Sequence, residues 1–343
     1  MTKVSTAKGN DTATSVPFPI DAVITWVDGN DPRHMAKRLK YGNDNIFRAD
    51  DVAGSTRYAS VGEILYCIAS LNRFAPWLNK IYIVTDEQTP PVAPFIEQHF
   101  PDGHIPMEIV DHKSIFRGYE ENLPTFNSIS IESMTWRIPG LSEHYIEFND
   151  DLILAAPTTP EDFFTSDGKV VCYGKTENIL LVRLTRLLKY RANGYKKVTY
   201  KETMVNAALH AGQLLSYIKM HHTPKALLKS VYENHFAESP QTLKKNIAYR
   251  FRFHKQFNPQ ELQYLKLQQK GLCSMRKVSS NLLYLQAKRD DGYIREKLRA
   301  FSARPDFKFA CFNSIDQATD VGQDMIVSWI KERLQLNRDT QTT

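Results

Sequence analysis

A run of β-branched and aromatic residues, Ile20-Asp21-Ala22-Val23-Ile24-Thr25-Trp26-Val27, stops abruptly at Asp28-Gly29-Asn30-Asp31-Pro32. The run reads as a buried strand and the polar cluster as the turn that ends it. From Ser60 to Phe74 the apolar positions Val61, Ile64, Leu65, Ile68 and Leu71 recur at three and four residues, the period of a helix with one buried face. A second strand, residues 80–86, follows through Ala75-Pro76-Trp77. Strand, helix, strand at this spacing is a βαβ unit, which commits the chain to a parallel sheet with right-handed crossovers. Residues 107–111 and 144–151 extend the pattern. Three of these strands run into carboxylates, at Asp28, Asp86 and Asp150/Asp151. Ligands of open α/β sheets sit beyond the carboxyl ends of strands, so these acids mark a candidate site. The plainer account is that Asp is common in surface turns.

A chain of 343 residues exceeds what one core usually fills. We expect a disordered tail over 1–17, an α/β core over 18–174, a helical basic lobe over 175–270 and a C-terminal segment, 271–343, packing back on the core. The lobe is expected to contain helices over 201–217, 225–236 and 260–270. Charge is divided along the chain. Between Tyr82 and Asp162 stand fifteen acidic residues against Lys113, Arg117 and Arg137, whereas Arg183 to Lys201 holds seven basic residues and no acid. That split fits either an acidic site balanced by basic groups from later in the chain, or a face that binds polyanions. Tyr190, Tyr195 and Tyr200, interleaved with the basic residues, keep a polyanion-binding module in view. Ordinary solvated helix surface is the bland account of any single Lys.

No apolar stretch approaches the roughly 18 residues that span a bilayer, and the first residues lack the apolar core of a secretion signal. The expected location is the cytoplasm. Cys67, Cys172, Cys273 and Cys311 lie far apart and form no C-x-x-C pair, so reduced, mostly buried thiols are expected.

The segment from Ile20 to Pro32 resembles the first conserved region of the Stealth family, the bacterial capsular polysaccharide phosphotransferases, whose animal relatives place N-acetylglucosamine-1-phosphate on lysosomal glycoproteins. Arg57-Tyr58, Gly62-Glu63-Ile64-Leu65-Tyr66 and the stretch on to Asp86 look like the second region. Leu123-Pro124-Thr125-Phe126-Asn127-Ser128, Arg137-Ile138-Pro139-Gly140-Leu141-Ser142-Glu143 and Phe148-Asn149-Asp150-Asp151 look like the third. His222-Thr223-Pro224 and Arg250-Phe251-Arg252 look like the fourth, and Asn313 lies in what looks like the closing segment. The chain departs from the pattern at Ser60, where many members carry Asp, at Trp136, where His is usual, and at Gln256, where an acid is usual. Either another residue serves as base here or the site is rearranged.

The resemblance implies a Rossmann-like, GT-A-like core and a reaction: transfer of a sugar-1-phosphate from a nucleotide-sugar, a UDP-sugar first, to a hydroxyl of a growing capsular polysaccharide. A phosphodiester forms and a nucleoside monophosphate leaves. A metal-dependent glycosyltransferase releasing the diphosphate is the alternative. The donor and the capsular acceptor are the implied partners, with no nucleic acid, and a membrane-bound capsule assembly complex at the inner face of the bacterial inner membrane is the peripheral option. Positioning and charge neutralisation carry such chemistry. Asp150 and Asp151 offer hard oxygens to Mg²⁺ or Mn²⁺, or else cap a turn. Arg137 and Arg252, with Arg57 and Arg250, supply guanidinium forks for the pyrophosphate. His222 is the first candidate base and Asp150 the second, with His221 as control. Trp26, Asp28, Asn30, Asp31, Glu63, Asn127 and Ser128 are the candidate substrate contacts, although Asp28 to Asp31 also suit a plain Asx turn and Glu63 also suits a pair with Arg57. Lys196, Lys197 and Lys201 are candidates to hold an anionic acceptor.

Overall fold

The computed structural model describes residues 17–42, 62–193, 199–277 and 281–336. The tail expected over 1–17 lies almost wholly outside them, as do Arg57, Ser60, Tyr195, Lys196 and Lys197. Its centre is β1 (Ile20–Thr25), in which Ala22, Val23 and Ile24 are completely buried. Such a run is covered on both faces, as parallel strands are. It pairs in parallel with β2 (Lys80–Thr85) on one side and β4 (His144–Asn149) on the other, with Ile24 opposite Ile83 and Phe148. Outside β2 lies β3 (Met107–Asp111), also parallel. The far edge is closed by the antiparallel strand Lys225–Leu228, giving the order β3-β2-β1-β4-edge. The first four strands reproduce the 3-2-1-4 order of a Rossmann half, so the molecule has a mixed, mostly parallel α/β architecture.

Helix Glu63–Phe74 makes the crossover from β1 to β2 and buries Ile64, Cys67, Ile68 and Leu71 against the sheet. Gly62 precedes it at φ 88°, a left-handed conformation that suits glycine. Two small sheets flank the main one: Leu282–Gln286, Phe309–Asn313 and Leu152–Leu154 form the first, and Ser216–Met220, Val170–Asn178 and Cys273–Arg276 the second. In the first, Cys311 lies opposite Leu152, so late sequence is stitched directly beside Asp151. All four cysteines are free, and only Cys273 is not fully buried.

The expected second lobe is less helical than its periodicity suggests. The helix expected over 201–217 ends at His210, and Gly212 at φ 79° turns the chain into strand Ser216–Met220. The one expected over 225–236 starts as the edge strand Lys225–Leu228 and becomes helical only at Lys229–Glu238. A free edge on β4 makes pairing there outweigh local helix preference. Helix Pro259–Gln269 stands where 260–270 was expected.

One buried charge ties the sheet together. Asp21, fully buried on β1, accepts from the Asn79 amide at 2.8 Å before β2 and from the Ser142 backbone N–H at 2.7 Å before β4. Replacing Asp21 with Ala leaves both donors unpaired. The expected loss is about 1–3 kcal/mol of unfolding free energy, read as an earlier midpoint in urea denaturation.

Candidate active site

The carboxyl ends of β1 and β4 open into a cleft of about 850 Å³, within the range of small-molecule sites. Segments far apart in sequence wall it. Thr25, Trp26 and Val27 come from the end of β1; Phe148 to Asp151 come from the end of β4. Helix Ser128–Glu132 contributes Ser128 and Glu132, helix Tyr200–His210 contributes Tyr200, the edge-strand region contributes His221, His222 and Lys225, and the late strand region contributes Cys311 to Ser314. Arg252, Asn258 and Gln260 complete the wall.

Two acidic groups face this space. In the first, burial, then Asp151 and Glu63, push the Asp150 carboxyl well above the carboxylate range. Burial raises Asp151 to about 6, the Cys311 thiol partly opposing it by donating to Oδ2 at 3.5 Å. Both side chains are only half-buried, so cleft solvent moderates these shifts. Asp151 Oδ1 is itself buried without a hydrogen-bond partner among the described residues. Paired, under-compensated carboxylates with an orphaned oxygen suit a hard divalent cation. Among the described residues no three His, Cys, Asp or Glu side chains converge as a metal-holding group. Magnesium, however, is often held by one or two carboxylates, with substrate phosphates and water completing its shell.

The second acidic group was not singled out from sequence. Glu147 on β4 is buried, accepts from the Thr135 hydroxyl and from the Gln260 amide at 2.7 Å, and is raised to about 8 by burial and then by Glu132. Glu132 itself is raised by burial, with Arg252 opposing. Lys225 lies directly across the strand pair from Glu147. Its ammonium donates to the carbonyls of His221 at 2.5 Å and Thr223 at 2.6 Å, and burial lowers it to about 8. The available signal was a lone Glu between Ile146 and Phe148, an acid in a strand covered on both faces.

The predicted residues divide. Trp26, Glu63, Ser128, Asp150, Asp151, His222, Arg252 and Asn313 share the cleft. Arg252 donates to the Ser128 hydroxyl at 2.7 Å. The His222 ring stacks on Tyr284 at 4.6 Å and lies 5.9 Å from Tyr200. Its imidazole is exposed to the cleft, and surrounding protein followed by Lys225 pulls its pKa down, so it is neutral near pH 7. The Trp26 indole N–H and the Thr125 hydroxyl are buried in the same wall and lack partners among the described residues.

Other predicted residues do structural work outside the lining. Arg137 donates to the carbonyls of Ile115 and Arg117, both at 2.7 Å, with its guanidinium 5.2 Å from the Tyr119 ring. Arg250 bonds the carbonyls of Glu121 and Leu123 and covers Tyr41. Both guanidiniums thus hold loop carbonyls outside the cleft lining, with Arg250 Nε buried and without a hydrogen-bond partner among the described residues. Asn127 caps helix Ser128–Glu132 and bonds Tyr249 and Gln256. Asp28 accepts from the Asn30 N–H, Asn30 is exposed, and Asp31 caps helix Pro32–Tyr41 while accepting from Gln88, so the three form a turn that stands outside the cleft lining. Asp86, at the end of β2, is ion-paired with Lys37 at 3.1 Å.

The departures at Trp136 and Gln256 are likewise structural. The Trp136 indole donates to Ser133 and stacks on Phe236. Gln256 is buried, accepts from Asn127 and Phe253 and donates to the Asn246 carbonyl at 2.6 Å, a bond that a carboxylate could not make.

Comparison with known proteins gives a consistent setting. The family models described as Stealth protein CR1, conserved region 1, and Stealth protein CR2, conserved region 2, match residues 18–46 and 57–172. The stretch read above as a third region thus falls within the second. An exopolysaccharide phosphotransferase of Streptomyces coelicolor is 34% identical over 248 residues, 70% of this chain and 41% of that protein. A second from the same species is 44% identical over 153 residues, 45% of this chain and 24% of that protein. A receptor polysaccharide phosphotransferase of Streptococcus oralis is 40% identical over 149 residues, 43% of this chain and 42% of that protein. The chain therefore spans less than half the length of each of these relatives.

Two outcomes follow from this geometry. Because the folded-state pKa of Glu147 is raised from 4.5 to about 8, the native state holds a proton that the unfolded chain releases, and this contribution to stability is lost as pH rises through that window. Glu147→Gln should flatten that fall, seen in unfolding free energies compared across the same range. Arg137→Lys should lower the thermal midpoint while leaving the turnover of the folded fraction unchanged, since its two carbonyl bonds belong to loop structure.

Proposed function

We propose, from the match of residues 18–46 and 57–172 to the Stealth family models, that the chain is a Stealth-type enzyme that transfers a sugar-1-phosphate from a nucleotide-sugar to a hydroxyl of a capsular or exopolysaccharide chain, releasing the nucleoside monophosphate. The observation that carries this reading is the shared cleft. It sets the Asp150/Asp151 pair at the end of β4 opposite Arg252, His222 and Lys225 from later sequence. A donor diphosphate brings negative charge that suits Arg252 and Lys225. A bound Mg²⁺ or Mn²⁺, held by Asp150 and Asp151, would neutralise the diphosphate oxygens as charge shifts to the leaving group.

This chain's own groups supply the rest. Arg252, oriented by its bond to Ser128, presents a fixed guanidinium to the transferring phosphoryl group. Trp26 and Thr125 offer buried polar atoms to the nucleotide portion. His222, neutral and open to the cleft, accepts the proton of the attacking hydroxyl. Glu147, protonated near neutral pH, is a poorer acceptor, and Asp150 serves better as an anion beside a cation. Attack falls on the phosphorus bonded to the sugar, so the anomeric carbon keeps its configuration.

Incubation with a panel of nucleotide-sugars and polysaccharide oligomers tests the reading. Monophosphate release with a phosphodiester ³¹P signal in the product supports it; diphosphate release without phosphorus in the product establishes glycosyl transfer instead. Arg252→Lys should lower kcat/KM by about 10–100-fold despite retaining charge. His222→Gln should lower kcat with little effect on donor KM, and unchanged turnover across pH removes it as base.

A further inference from the structure

The helix Ile179–Asn193 does not behave like a surface helix of a water-soluble domain. Ile179 and Val182 are buried beneath it, yet Leu180, Leu181, Leu184, Leu187 and Leu188 are 48–67% exposed. At 3.6 residues per turn these five fall on one side, opposite the buried pair, as a continuous leucine stripe. The stripe extends beyond the helix. The Ile179 N–H donates to the Leu215 carbonyl at 2.9 Å, and Leu214 and Leu215 are 66% and 68% exposed.

Positive charge borders this apolar surface: Arg183 is exposed one step round the helix from Leu187, and the helix sequence contains no acid. Strand Val170–Asn178 runs directly into it, and there Lys175, Lys201 and Lys219 all surround Glu177, at 3.0, 3.7 and 3.5 Å. Three cations about one anion leave a local excess of positive charge, and the three lysines are 43–57% exposed.

We propose that this surface docks the protein on an anionic lipid bilayer, with the leucine stripe entering the interface and the basic groups meeting lipid phosphates. An apolar stripe on an acid-free, Arg/Lys-bearing helix is what a helix lying in the membrane plane requires, since leucine burial and attraction to anionic headgroups then add. A second copy of the chain fits less well. A two-fold axis through the stripe would place each cluster of lysines near its own copy. No helix among the described residues is long and apolar enough to cross a membrane, so the contact is one of lying on the surface.

Docking in this pose has a consequence for the cleft. Thr199 and Tyr200, soon after the helix, and His221, two residues beyond Lys219, line the cleft. That wall of the cleft adjoins Lys201 and Lys219 of the docking surface, so an acceptor chain held at the membrane would approach the cleft from this side. The docking surface itself does not depend on the proposed reaction, and its test needs no turnover.

The test is co-sedimentation of the full chain with vesicles of phosphatidylcholine alone or mixed with phosphatidylglycerol. Binding should require phosphatidylglycerol and weaken in high salt. It should fall by about tenfold or more in Leu184→Ser/Leu188→Ser, which removes apolar area from exposed positions, and also in Lys175→Gln/Lys219→Gln. Hydrogen exchange on the wild-type chain needs no variant: backbone amides across 180–188 should gain protection with phosphatidylglycerol vesicles. Equal retention on neutral and mixed vesicles, or unchanged exchange at those amides, overturns the proposal. So does a dimer in sedimentation velocity that Leu184→Ser/Leu188→Ser dissolves without any vesicle binding.

Discussion

The position of β1 between two parallel partners is the constraint on which the rest depends. Parallel pairing points the carboxyl ends of β1, β2 and β4 the same way, so Trp26 and Asp150, more than 120 residues apart in sequence, emerge at one edge of the sheet. A change of register at β1 would move its buried side chains to the opposite face and break the alignment of both ends at once. Asp21 secures the other end of the same strand by binding the loops that lead into both neighbours. Geometry at the cleft is thus set by hydrogen bonds far from it.

Cleft electrostatics are organised by burial as much as by charge. Four carboxyls, at Glu132, Glu147, Asp150 and Asp151, are all displaced upward, because the space they share has few positive groups close enough to offset their desolvation. Lys225 is displaced the opposite way for the same reason. Asp150 and Asp151 open to the cleft and can exchange protons for a ligand's positive charge. Glu147 is sealed by Thr135 and Gln260 and serves as a neutral brace. Similar residues therefore do different work a few positions apart.

The central sheet was legible because its signals are local: apolar runs of strand length, one helical period between the first two, and polar stops. The strand Lys225–Leu228 was not, since its four residues carry no periodicity and the free edge that recruits them lies on β4, far away in sequence. Site residues followed the same division. Asp150 and Arg252 stand where motif and topology agree. Arg137 and Arg250 sit in equally familiar stretches, yet they bond carbonyls of loops outside the cleft lining, which sequence cannot place. The buried Glu147–Gln260 contact joins residues 113 positions apart, and only the folded chain reveals it.

The late strand Phe309–Asn313 pairs with Leu152–Leu154 and supplies Cys311 to Ser314 to one wall of the cleft. A nascent polypeptide emerging from the ribosome can assemble β1 to β4 early, but it has an open-sided cavity until residues 309–314 clear the exit tunnel. A closed pocket is thereby postponed until that strand has been made, well after the sheet it completes.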